Sequence, residues 1–217
     1  MSLFRLDASI RVDGSHSREI ADIVEQEWRE GHPDADVVSR HVGTQPVPAT
    51  AWANAVNAAY TPEDQRTPEQ REAVALATTL VDELVAADAL LFAVPLYNFG
   101  VSQHFKTWAD VVITDPRMAA GVEPAIAGKP AVLVTVRGGS YAAGTPREGW
   151  DHSTAWIKRI LSDVWKLDLR VVESEFTLAG VAPGLEQFKD LADQLRAQAE
   201  LDAHKHGREL DSRVAAA

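Results

Sequence analysis

Five short apolar runs alternate with five amphipathic stretches along almost the whole chain, and no other feature limits its possible folds as tightly. The runs fall at residues 3–8, 35–42 (Val37, Val38, Val42), 89–94, 131–136 and about 168–176. The third, Ala89-Leu90-Leu91-Phe92-Ala93-Val94, has no polar alternation, which predicts a central parallel strand covered on both faces. Between the runs, apolar side chains recur at helical spacing: Ile20, Ile23, Val24 and Trp28, then Val74, Ala77, Leu80, Val81 and Leu84, then Phe105, Trp108, Ala109 and Val112. Two further stripes hold Trp156, Ile157, Ile160, Leu161 and Val164, and Leu185, Phe188, Leu191, Ala192 and Leu195. Thr67-Pro68-Glu69-Gln70 supplies an N-cap, a first-turn proline and a capping-box glutamine, so a helix is predicted to open there. Strict strand-helix alternation predicts a three-layer α/β sandwich, a five-stranded parallel sheet with helices on both faces, and 2-1-3-4-5, one of the common orders of such sheets, is the order expected here. Residues 43–66, with Pro46, Pro48, Trp52, Tyr60 and Pro62, read as a long irregular connection of the functional or lid type. Apolar periodicity stops near Ala203, so residues 1–203 are expected to form one domain and 204–217 a flexible tail.

With 217 residues, 46% of them apolar and 24% charged, the chain can bury a substantial core. It has no cysteine, which excludes disulfides, thiolate metal sites and cysteine nucleophiles and fits a cytoplasmic location. A net charge of −11, spread along the chain, argues against nucleic acid or an anionic membrane as a partner. Residues 1–7 carry charge within their apolar run and lack a signal-peptide core, and no stretch has the length of a membrane span. His204 and His206 form an isolated His-x-His without nearby carboxylates in a fixed element, and no metal site is expected.

Open parallel sheets bind ligands at the carboxyl ends of their strands, and in the order 2-1-3-4-5 strands one, three and four are neighbours. Their loops, 9–17, 95–100 and 137–149, therefore meet in one crevice. The first reads Ser9-Ile10-Arg11-Val12-Asp13-Gly14-Ser15-His16-Ser17 and enters a helix at its positive end, where hydroxyls and free amides suit a phosphate. The dinucleotide fingerprint G-x-G-x-x-G is absent, and Gly128-Lys129 is followed by Pro130 in place of the Ser or Thr of a phosphate-binding P-loop, which favours a monophosphate. Helix capping is the competing use for Ser15 or Ser17. Pro95-Leu96-Tyr97-Asn98-Phe99 offers apolar cover and one amide able to read the edge of a planar heterocycle; core packing of Tyr97 and Phe99 is the alternative. Arg137-Gly138-Gly139-Ser140-Tyr141 has two glycines that allow a ligand close to the backbone, or form a plain turn. Asp151-His152 reads as a helix start, with a proton relay as the alternative.

These three segments, with Phe105-Lys106-Thr107-Trp108-Ala109-Asp110 and the helix start at Thr67, resemble the FMN-dependent NADH azoreductases, a quinone-reductase branch of the flavodoxin-like superfamily, from about residue 3 to 195. The most specific piece is Pro95-Leu96-Tyr97-Asn98-Phe99, where the family has a Pro-Met-Tyr-Asn-Phe type of loop. The resemblance implies bound FMN, its phosphate held by Ser9, Ser15, His16 and Ser17, with His16 standing where the family often has glutamine. Pro95, Leu96, Tyr97, Asn98 and Phe99 would line the ring and ribityl chain, and Val136, Arg137, Gly138 and Gly139 the pyrimidine side. Val136 replaces a common serine and removes one hydrogen bond. Residues 114–122 lack the aromatics family members often carry there, so Trp52, Tyr60 and Tyr141, with Asn98, are the candidate substrate wall. By the same resemblance the protein is a homodimeric enzyme that passes hydride from NADH or NADPH to a quinone or azo acceptor by ping-pong two-electron transfer, the flavin and no protein residue performing the redox step. A flavin reductase acting on a quinone, diazo or N-N-bonded natural-product intermediate and an electron-carrier flavodoxin are the alternatives.

Overall fold

Ser2–Asp7 (β1), Asp36–Arg40 (β2), Ala89–Ala93 (β3), Pro130–Val136 (β4) and Asp168–Ser174 (β5) pair in one fully parallel sheet of order β2-β1-β3-β4-β5, as expected. The computed structural model describes residues 1–214. Register is set across the centre by Leu6 opposite Phe92, Phe92 opposite Leu133 and Leu133 opposite Val171. Every residue of β3 and β4 is buried, the consequence of helices on both faces.

Side chains alternate between two cores because successive strand residues point to opposite faces. Phe4, Leu6, Phe92 and Leu133 face the helices Pro68–Ala86 (α3), Gln103–Val112 (α4) and Thr154–Lys158 (α5), the last continued by a π-helical segment, Arg159–Val164. An aromatic cluster fills that side: Trp108 stacks on Phe4 at 6.3 Å and meets Trp165 edge-on at 5.6 Å. Leu3, Leu91, Val132 and Val134 face the helices His16–Gly31 (α1) and Lys189–Val214 (α6). At the start of α3 the Gln70 amide N–H donates to Thr67 Oγ1 (3.2 Å) and the Thr67 N–H to Gln70 Oε1 (2.9 Å), completing the capping box.

Two expectations are corrected. Within residues 43–66 lie a nine-residue helix, Ala51–Ala59 (α2), and a 3₁₀ turn, Glu63–Gln65. Alanines 51, 55 and 58 form the buried stripe of α2, so no large side chain marks it, and the flanking prolines read as loop. Residues 204–214 are not a tail without regular structure but the continuation of α6. The stripe that α6 buries is Ala199, Ala203, Gly207 and Leu210, whereas Leu191, assigned to the expected stripe, is 41% exposed. A Cβ on Gly207 would lie 2.7 Å from Glu27 Cβ and 3.0 Å from the Val24 carbonyl oxygen, so α1 and α6 meet backbone to backbone. His204 pairs with Glu27 at 2.5 Å, Arg208 with the same carboxylate at 3.1 Å, and Arg213 with Asp168 at 2.6 Å. Residues 215–217 lie outside the described residues.

Candidate cofactor and acceptor site

The loop after β1 is held from beneath. Asp7 closes β1 with a fully buried carboxylate, which is tolerable only beside cations: Arg5 Nη2 lies 3.2 Å from it and Arg18 Nη1 3.1 Å, with the His41 ring nitrogen Nδ1 3.1 Å away. The same Arg18 donates from Nε to the Arg11 carbonyl (2.8 Å) and from Nη2 to the Ser9 carbonyl (3.2 Å). One planar fork therefore ties the buried carboxylate to two loop carbonyls. Gly43 presses on the loop from the side, where a Cβ would sit 2.0 Å from the Ser9 oxygen, so no other residue fits there.

Ser15 and Ser17 are buried at the entry to α1, their hydroxyl oxygens 3.4 Å apart. Ser15 occupies the N-cap position, yet its side chain makes no cap hydrogen bond, so capping does not account for it. Beside them His16 is held below the usual imidazole range by burial, with Arg196 Nη1 3.2 Å from its Nδ1.

The third-strand loop is a two-residue turn. Tyr97 and Gly100 exchange hydrogen bonds (2.9 and 3.3 Å), and between them Asn98 and Phe99 take φ values of 48° and 66°. Positive φ at both central positions defines a type I′ turn; at residues other than glycine it costs on the order of 1–3 kcal/mol each. The turn is fastened by the His152 N–H donating to the Phe99 carbonyl (3.0 Å) and by edge-on contacts of Phe99 with Tyr141 (6.1 Å) and Trp150 (5.3 Å). Phe99 thus belongs to a surface aromatic cluster and not to the core. The Tyr97 hydroxyl accepts the Ile10 N–H (3.2 Å) and lies 3.3 Å from Ser9 Oγ, bridging the first and third loops.

Arg137 departs from its expected role. Its buried guanidinium turns away from the crevice to Asp151 (2.7 Å), Glu173 (2.8 Å), Glu175 (3.0 Å) and Thr154 Oγ1 (3.1 Å). Burial alone would raise the Asp151 carboxyl, but N–H groups of Thr154 and Ser153, the Thr154 hydroxyl and Arg137 hold it below the usual carboxylate range. Asp151 is thus a structural anchor for the start of α5.

A cleft of about 360 Å³ joins these loops. Of the anticipated cofactor residues, Ser9, Ser15, His16, Ser17, Pro95 through Phe99, Val136 and Gly138 all line it, and Tyr141 stands at its side. Gly139 faces an adjoining cavity. Trp52 and Tyr60, 50% and 86% exposed on and after α2, line neither space. Arg11, Gly14, Arg147, Thr177 and Leu178 also line the cleft without having been anticipated. Thr177 and Leu178 come from the loop after β5, stitched to the fourth-strand loop by the Thr177 N–H to the Arg137 carbonyl (3.1 Å) and the Leu178 N–H to the Gly138 carbonyl (3.2 Å). Their signal was positional: β5 ends on the same edge of the sheet. On a chain of net charge −11 the described lining residues hold the cations Arg11 and Arg147 and no carboxylate, a setting that receives an anion.

Three comparisons relate the chain and its fold to known proteins. A family model described as a flavodoxin-like fold matches residues 1–204. The chain is 40% identical over 201 residues to an FMN-dependent NADH:quinone oxidoreductase of Frankia alni, covering 92% of this chain and 95% of that protein. It is 36% identical over 216 residues to an FMN-dependent NADH:quinone oxidoreductase of Streptomyces avermitilis, covering 99% of each. Among solved structures, an azoreductase from Bacillus anthracis superposes with a TM-score of 0.78 over 96% of this chain and 99% of that one; at 19% identity this speaks to the fold alone.

Proposed function

The chain belongs to the FMN-dependent NADH:quinone oxidoreductases of flavodoxin-like fold, and from that premise we propose that its cleft holds FMN and brings a nicotinamide donor and a quinone acceptor to it in turn. One observation carries the assignment to this cleft: two buried serine hydroxyls at the positive end of α1, free of capping duty, open into a space lined without carboxylates. These residues fit the cofactor. A phosphate at Ser15 and Ser17 meets the unpaired N–H groups of the first helical turn, and charge-assisted hydrogen bonds of this kind are the strong ones. Pro95, Leu96 and Val136 are buried apolar walls for a flat ring, and Asn98 is the exposed amide at its edge. When bound, FMN would supply the redox chemistry, accepting from NAD(P)H one hydride, that is two electrons with a proton, and passing the two electrons on to the acceptor.

The protein's own task is placement and shielding. The Tyr97 bridge and the I′ turn fix one wall, while Gly138 and Leu178 close the other. Asn98 and Tyr141 are the acceptor contacts within this reading; azo compounds extend the acceptor class, and donor and acceptor sharing one mouth imply ping-pong kinetics. The enzyme is read as a homodimer, supported by exposed Trp52, Phe99 and Trp150, and its location as cytoplasmic. Light scattering is expected to give twice the chain mass. The deciding experiment is spectroscopic: FMN-loaded protein is expected to lose its visible absorbance with NADH under anaerobic conditions and regain it on addition of menadione, with parallel double-reciprocal plots. Protein that stays colourless in excess FMN and gains no thermal protection overturns the reading.

A further inference from the structure

Beyond the fourth-strand loop lies a second, larger cavity of about 740 Å³, within the range of small-molecule sites. Its floor is apolar: Phe176 and Phe188 stack at 4.8 Å with rings 23° apart, and Leu185, Ala182 and Pro146 complete it. Among its described lining residues are no carboxylate and one cation, Arg147. Gly138, Tyr141, Arg147 and Leu178 line both spaces, so the two adjoin across a thin divider. Leu178 forms that divider because position 138 is glycine: a Cβ there would fall 2.6 Å from Leu178 Cδ1.

We propose that this cavity is an extension subsite for the fused-ring body of a polycyclic aromatic acceptor, with Arg147 at the junction receiving an anionic substituent. The inference rests on the reductase reading of the adjoining cleft. Stacked aromatics favour a flat apolar body, the lone guanidinium fits one negative group, and neither feature serves a small quinone that the cleft alone accommodates. The divider places the extension beside the reacting end and not in line with it, so the acceptor is angular or carries its extra ring laterally.

The test uses FMN-loaded wild-type protein, NADH, and two acceptors: 1,4-benzoquinone, and anthraquinone-2-sulfonate as the extended anionic probe. The KM for the anthraquinone is expected to be about tenfold below that for benzoquinone, the scale one apolar pocket contributes. Ala182→Phe, which fills the cavity away from the cleft, is expected to raise the anthraquinone KM about tenfold while benzoquinone stays within about twofold. Leu185→Trp repeats the filling from another point of the lining should the first variant not fold. Equal KM values for the two quinones in the wild type, or equal effects of filling on both, overturn the subsite and leave the reductase reading standing. Failure to reduce either quinone overturns the reductase reading and the subsite with it.

Discussion

Ser15 and Ser17 are the residues on which cofactor binding turns. Each hydroxyl given to a phosphate contributes about 1.5–3 kcal/mol as a hydrogen bond to a charged group. Replacing both with alanine is therefore expected to weaken FMN affinity by two orders of magnitude or more, measured by fluorescence titration, with far-UV circular dichroism unchanged. Asp151 makes a pH prediction. Its carboxyl is held below its ordinary value in the folded state, so its stabilising contribution is complete above the unfolded-state pKa of about 3.9 and is lost as pH falls through the lower folded value. Thermal melts should show wild-type stability declining below about pH 4, and Asp151→Asn should flatten that decline while lowering stability at neutral pH. Arg137→Leu strands Asp151, Glu173 and Glu175 without their shared cation and is expected to cost about 3–5 kcal/mol in denaturant unfolding.

Helices differ in how openly they announce themselves. The start of α3 was readable to the residue because a threonine cap, a proline and a glutamine each have one local physical job, and the structure shows all three doing it. The central strands were readable because burial on both faces removes polar alternation. What escaped was contact made by small side chains: α2 buries three alanines, and α6 docks on α1 through Ala199, Ala203 and Gly207, which carry almost no hydrophobic signal and work by letting backbones approach. Gly207→Ala is accordingly expected to destabilise the protein by about 1–3 kcal/mol, the range for overpacking, even though alanine favours helices. A chain truncated after Ala203 should melt well below the full-length protein, since it loses the Leu210 contact and the Arg213 pair with Asp168. In the candidate site the hydroxyl loop and the 95–99 turn were legible, because residue type and strand order together place them. The direction of Arg137 was not, because only the fold brings Glu173, Glu175 and Asp151 around it.

Across the whole molecule the crevice is assembled from the ends of four strands, β1, β3, β4 and β5, none adequate alone. Among the described residues no helix is long and apolar enough to cross a membrane. Both guanidinium anchors, Arg18 beneath the first loop and Arg137 beneath the fourth, pull carbonyls and carboxylates toward the sheet and make their bonds on the hidden side of the rim. A rim fastened from below leaves its upper surface unencumbered. A side chain at that surface, such as Arg147, can then be exchanged to suit a new guest without cutting the buried ties beneath it, so one scaffold of this kind can serve many chemistries through alterations only a few atoms deep.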